Sequence, residues 1–206
     1  MPLSRRQFAL AGAAFATSPF LTLSPHRARA AAVGDNGLHV QPFFVDSFLD
    51  MGEDLTDAKA EDKGLVILFE QRGCPYCKEM HEVNFASQKV RDAILPHFNF
   101  VQLDLWGSRE VTDFDGEAME ERELARRWGV NFTPTLSFFA KDTEVSGSES
   151  GKALEAARLP GYFKPFHFVS MFEFVADGSY KDQNFQRYLQ DKFADYEKRG
   201  EKPDVW

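Results

Sequence analysis

Cysteine is scarce in this sequence, with two in 206 residues. That excludes a framework of structural disulfides. The pair, Cys74 and Cys77, would close a loop too short to restrain the unfolded chain much, because that form of stabilisation grows with loop length. Reactivity is a better reason than stability for placing them together. Basic charge is short too: 24 Lys and Arg stand against 32 Asp and Glu, a net charge of −8. An acidic surface argues against nucleic acid and against anionic membrane as partners. Beyond residue 30, no apolar run approaches the roughly 20 residues that span a bilayer. The body of the chain therefore reads as not membrane-embedded. No internal repeat and no low-complexity tract interrupts it.

The N-terminus has its own pattern. Ser4-Arg5-Arg6-Gln7-Phe8 carries a twin arginine, an Ala-rich apolar stretch runs from Phe8 to Leu23, and Ala28-Arg29-Ala30 fits a small-x-small cleavage site. Arg27 and Arg29 suit the twin-arginine export route better than the general one. The expectation is a twin-arginine-type signal peptide over residues 1–30 and one domain over residues 31–206, delivered to a bacterial periplasm. The leader holds four arginines and no acids, so its removal takes the net charge from −8 to −12.

Along the remainder, residues 31–38 read as a flexible start. Apolar positions at Phe44, Phe48, Met51, Leu55 and Ala58 predict an amphipathic helix over 44–60. Leu65–Glu70 predicts a buried strand, and a helix follows the cysteines to Phe85. A second helical stretch over 88–95 stops at Pro96, and Phe98–Leu103 predicts a second strand. Residues 105–116 read as a polar loop, and 117–128 as a helix with Gly129 at its C-terminal cap. Thr135–Ala140 predicts a third strand, and 141–150 a polar hairpin or loop. A further strand belongs somewhere in 152–162. Helices over 165–175 and 184–198 close the chain. This order predicts an α/β fold with a central mixed sheet flanked by helices and extra C-terminal helices.

Cys74-Pro75-Tyr76-Cys77 sits at the junction of strand and helix. Pro75 is tolerated because the first helical turn does not need its N–H. A cysteine at a helix N-terminus faces unpaired backbone N–H groups and the positive end of the helix dipole, and both favour its thiolate. Cys74 is thus the expected nucleophile and Cys77, one turn inside, the resolving thiol. A CxxC at such a junction points to the redox motif of a thioredoxin-like fold. Thr133-Pro134 lies about 60 residues on, at the start of an apolar strand, where that fold places a cis-proline loop beside its cysteines. Thr133 and Pro134 are accordingly the expected substrate-side loop.

Several segments then carry a narrower resemblance. Phe69 to Phe85, Leu105-Trp106-Gly107, Val111 to Gly116, Glu123 to Val130, Phe132-Thr133-Pro134-Thr135 and Gly161 to Phe168 resemble the SoxW-type periplasmic thioredoxins. The resemblance implies a reductase of exported cysteine proteins in a bacterial sulfur-oxidation system. It implies a SoxYZ-like sulfur carrier as a client and a CcdA- or SoxV-like membrane thiol transporter as electron donor. It implies no cofactor. The chain departs from general thioredoxin in having Pro-Tyr between its cysteines, and in having Leu68 where a buried aspartate often assists the resolving thiol. Glu70 is the alternative candidate for proton transfer with Cys77, and an exposed strand-end charge is its plainer reading.

Two rival functions stay open on the sequence: a disulfide oxidase or isomerase, and a non-enzymatic binding or chaperone module. Other features have plain readings. His81 follows Cys77 by one helical turn and could join two thiolates on a metal, but no fourth ligand stands at motif spacing. No metal site is therefore expected, and His81 reads as solvated or helix-packing. Glu117, Glu120, Glu121 and Glu123 read as a solvated helix face. Asp113 and Asp115 lack the spacing of an EF-hand. The aromatic block from Tyr162 to Phe174 reads as core.

Overall fold

The computed structural model describes residues 32–202. The expected signal peptide falls outside the described residues. Helix α1 spans Met51–Ala60, strand β1 Gly64–Glu70 and helix α2 Pro75–Glu79, which continues as a π-helical stretch over Met80–Phe85. Helix α3 (Gln88–Ile94), strands β2 (Phe98–Asp104), β3 (Glu110–Thr112) and β4 (Ala118–Glu120), and helix α4 (Glu121–Arg127) follow. Strand β5 (Thr135–Phe139), helix α5 (Gly151–Leu154), strand β6 (Ala157–Pro160) and helices α6 (Pro165–Ala176) and α7 (Phe185–Lys198) complete the chain.

The main sheet has the order β2-β1-β5-β6, with β1 and β2 parallel and the other neighbours antiparallel. All seven residues of β1 are buried, as a central strand covered on both faces requires. Val66 and Leu68 face a core made with Phe85, Phe98, Phe168 and Phe172. Leu65, Ile67 and Phe69 face a second core with Met51, Leu55, Leu124 and Trp128. Each large apolar side chain so buried stabilises the fold by roughly 1.5–3 kcal/mol relative to exposure. The mixed sheet, flanking helices and added C-terminal helices match the expected α/β class. Within the aromatic block Phe166, Phe168, Phe172 and Phe174 are core as expected, Phe168 and Phe172 each 1% exposed, while Tyr162 and Phe163 are partly buried against it.

The departures have local causes. Residues 44–50 are not helical. Leu49 takes φ 65°, and the Asp50 carboxylate accepts N–H bonds from Gly52 and Glu53 at 3.0 Å each, fixing the helix start there. Phe44 pairs instead with Phe100 in an isolated parallel bridge, and Phe48 is fully exposed. The described part of the N-terminal segment is structured: Val33 bridges His39, and Leu38 is buried. The polar segment after Leu105 contains the β3–β4 hairpin, which takes the first residues expected for α4. Glu120 then caps that helix reciprocally with Glu123.

Glu121 is buried rather than solvated, because its carboxylate accepts from Asp104 N, Arg109 N and the Arg109 guanidinium. Asp113 is buried as well. It accepts from Trp128 Nε1 at 3.1 Å, Gly151 N at 2.8 Å and Phe114 N at 2.8 Å, and it faces Arg127 at 3.3 Å. Gly151 allows that approach, since a Cβ there would lie 2.2 Å from the Trp128 ring.

Candidate active site

The end of β1 delivers the chain into the turn Gln71-Arg72-Gly73. Gly73 takes φ 72°, a conformation that costs a side-chain-bearing residue strain, and this swings Cys74 onto the start of α2. Cys74 is the N-cap, with Pro75 first in the helix. The two cysteines are joined as a disulfide, their Cα atoms 5.2 Å apart. Cys74 keeps 3% exposure and Cys77 none. Cys77 N–H donates to Cys74 Sγ at 3.0 Å, so the helix end already directs a donor at that sulfur. Thr133 Oγ1 donates to the same sulfur at 3.3 Å.

The Thr133–Pro134 peptide bond is cis. Pro134 is buried at the entry to β5, and its carbonyl accepts from Gly161 N at 2.8 Å, which ties the loop to the end of β6. Around the sulfurs stand exposed apolar side chains: Tyr76 between the cysteines at 62% exposure, Phe132 beside Thr133 at 52%, and Trp106 at 67%. Trp106 Nε1 donates to Gln71 Oε1 at 2.9 Å and so is tethered to the turn before Cys74. The structure thus brings Cys74, Cys77, Thr133 and Pro134 together.

Glu70 lies elsewhere than at the strand surface. It is fully buried, and its oxygens are held by His81 Nε2 at 2.9 Å and Gln102 Nε2 at 2.5 Å. His81 is buried too, at 1% exposure, which rules out the solvated one of its two readings and leaves the packed one: the π-helical stretch turns its ring inward against Glu70. Gln41 Nε2 donates to His81 Nδ1 at 2.9 Å, so the ring proton sits on Nε2 and points at the carboxylate. Beside them His39 is 8% exposed, its ring centroid 5.0 Å from that of His81. Burial, with His81 next to it, holds the His39 imidazole below its ordinary range. His39 and Gln41 escaped the sequence reading because they stand more than 30 residues from the motif; two polar residues alternating with apolar ones in 38–44 are the signal they leave. A cleft of about 530 Å³ lined by α6 and α7 residues includes none of these side chains.

A family model described as a thioredoxin-like domain matches residues 51–176. The chain belongs to the thioredoxin-like family. No curated protein matches it. Among solved structures, this thioredoxin-like chain is similar to a thioredoxin-fold protein from Helicobacter pylori, at 28% identity over 67% of this chain and 84% of that one, with TM-score 0.46. A thioredoxin from Thermus thermophilus is 23% identical over 61% of this chain and 83% of that one, also with TM-score 0.46. The oxidised DsbD C-terminal domain of Neisseria meningitidis is 22% identical over 60% and 90%, with TM-score 0.42. Residues 32–50, which carry His39 and Gln41, precede the matched domain. Among the described residues no helix is long and apolar enough to cross a membrane.

Proposed function

We propose that this thioredoxin-like chain is a periplasmic thiol–disulfide oxidoreductase that reduces exported cysteine proteins, in a SoxW-like role within sulfur oxidation. The observation that carries the exchange chemistry is the setting of Cys74 Sγ, which receives Cys77 N–H and Thr133 Oγ1–H beside a cis-proline loop. Donors aimed at one sulfur stabilise its thiolate over its thiol. The twin-arginine pattern at residues 4–8 supports the compartment, and the segments resembling SoxW support the pathway.

The Cys74 thiolate attacks one sulfur of a client disulfide. The bond to Cys74 forms, the client S–S bond breaks, and one client thiolate leaves. Cys77 loses its proton and attacks Cys74 Sγ. That step closes the Cys74–Cys77 disulfide and releases the second client thiolate, so two electrons pass to the client. A membrane dithiol donor of the CcdA or SoxV type restores the dithiol, and a SoxYZ-like sulfur carrier is the client class.

The direction is tested by the equilibrium potential of the Cys74–Cys77 couple in thiol buffers. A value near the about −270 mV of thioredoxin supports the reductase. A value near about −120 mV, that of a strong periplasmic oxidant, overturns it in favour of a disulfide oxidase.

A further inference from the structure

Three buried side chains form a polar cluster that supplies none of the hydrogen bonds to Cys74 Sγ. His39 comes from the segment before the family domain, Glu70 from the end of β1, and His81 from the π-helical stretch. One ligand-capable atom from each lies within 4.8 Å of the other two. Glu70 is fully buried, His81 1% exposed and His39 8%. His39 Nδ1 is buried and has no hydrogen-bond partner among the described residues. A buried polar nitrogen without a partner is costly, and it calls for something to bind it.

We propose that His39, Glu70 and His81 hold one divalent first-row transition ion, with zinc the fitting case. Two imidazoles and a carboxylate are a donor set that zinc accepts with three protein ligands and one open position. With zinc bonds of about 2.0–2.1 Å, tetrahedral ligand atoms stand about 3.3 Å apart. Closing from within 4.8 Å needs side-chain adjustment and no rearrangement of strands. The His81–Glu70 contact, now 2.9 Å, opens by a few tenths of an ångström as the ion enters.

Outer partners are in place. Gln102 Nε2 donates to Glu70 Oε2 at 2.5 Å and to the His39 carbonyl at 2.7 Å, fixing two ligands to one another. Rotating the Gln41 amide by half a turn puts its carbonyl on His81 Nδ1–H, which frees Nε2 to ligate. Such partners orient ligands and fix tautomers. The Phe44 and Phe85 rings meet the His81 ring edge-on at 5.8 and 5.2 Å, so the shell around it is apolar. Neither cysteine is among its ligands, so zinc binding can be read without the exchange reaction.

Equilibrium dialysis of the full chain against micromolar zinc tests this, with the disulfide closed and no reductant present so that thiolates take no part. One zinc per chain is expected. His39→Phe keeps a ring in the space but cannot ligate, and should weaken binding by at least about 100-fold; Gln41→Ala should weaken it by about 10-fold. Cobalt(II) in place of zinc should give the visible absorption of a four- or five-coordinate ion, lost in His39→Phe. Circular dichroism checks that His39→Phe is folded, and Gln41→Ala carries the comparison if it is not. No zinc retained by the parent chain, or retention unchanged in the folded variants, overturns the site.

Discussion

Thr133 Oγ1 donates a hydrogen bond to Cys74 Sγ at 3.3 Å, across 59 residues of sequence. When Cys74 is reduced and ionised, that bond becomes one to a charged acceptor, which contributes about 1.5 kcal/mol or more. Thr133→Val keeps the shape and removes the donor. The Cys74 thiol is then expected to ionise about one pH unit higher, since a unit corresponds to about 1.4 kcal/mol. Titrating thiolate absorbance in the reduced protein checks this. An unchanged titration would leave Cys77 N–H and the helix end as the whole source of activation.

Cys77 is the residue that must free the client. Cys77→Ser is expected to stop exchange after the first step and to leave client and Cys74 joined by a disulfide that reductant cleaves. Mass spectrometry of the joined species locates the bond. Cys74→Ser should form none. Joined species on Cys77 in that variant, at the rate seen on Cys74, would reverse the assigned order. Retention of all activity by Cys74→Ser in cells would favour a binding module in which the thiols are idle.

The cysteine pair, its helix and the proline loop were legible because each is a local signal. A CxxC needs a turn before it and a helix after it, and Thr133-Pro134 opens a strand whose apolar run is plain. Three strands of the main sheet, β1, β2 and β5, read out for the same reason: β1 is buried on both faces, so residues 65–69 are an unbroken apolar run, whereas the half-exposed β6 left no such run and was not placed. What did not read out depends on distant partners. Glu121 looks like its solvated neighbours until Arg109 and the Asp104 N–H are seen to close on it. His81 reads equally as a solvated or a helix-packing residue until the π-helical stretch turns it toward Glu70. The helix start at Met51 was missed because the periodic phenylalanines before it serve other ends, Phe44 bridging to β2 and Phe48 facing solvent.

Asp113 is the polar centre of the second core. Three donors and Arg127 converge on one buried carboxylate. Asp113→Ala leaves the indole N–H and the Gly151 N–H without an acceptor, and Arg127 without one of its acidic partners. Arg127 is partly exposed and keeps Asp115 and Glu117, so the cost comes mainly from the buried donors left unsatisfied, about 1–3 kcal/mol. A urea titration should show that loss as a lower midpoint with little change in slope. A loss under about 0.5 kcal/mol, the size expected of a surface site, would contradict the burial.

Asp54 gives the stability a pH dependence of unusual sign. Burial pushes its carboxyl up to about 6, against the Ser47 hydroxyl that donates to it at 2.6 Å, with Asp50, Asp57 and Glu53 adding repulsion. The folded pKa therefore lies above the unfolded value of about 3.9. Between about pH 4 and 6 the unfolded chain has released this proton while the folded chain still holds it, so this group's contribution to stability falls as pH rises. Asp54 is partly exposed, and after discounting for solvent the cost at pH 7 is about 1 kcal/mol. Asp54→Asn still accepts from Ser47 and should stabilise the protein by about that amount at pH 7, with the gain vanishing below about pH 4. A variant equally destabilised at both values would show that geometry, not charge, governs the position.

Tyr76, Phe132 and Trp106 leave apolar area in water around two nearly buried sulfurs. Scattered exposed aromatics need no explanation, but these three come from three separate segments and stand by the cysteines, by the proline loop and by the turn before Cys74. Cys74 shows only 3% of its surface, so a protein client is expected to contact this rim as it reaches the sulfur. A small disulfide needs no such surface. Trp106→Ala and Phe132→Ala should therefore lower kcat/KM for an unfolded protein disulfide by about 10-fold each, since truncating an aromatic anchor costs about 1–2 kcal/mol. The rate with a small aromatic disulfide should stay within about 2-fold, because Cys74 Sγ keeps its donors from Cys77 N–H and Thr133 Oγ1. Equal losses with both substrates would instead mean that the rim sets the reactivity of Cys74, and a thiolate titration of the same variants would then shift with it.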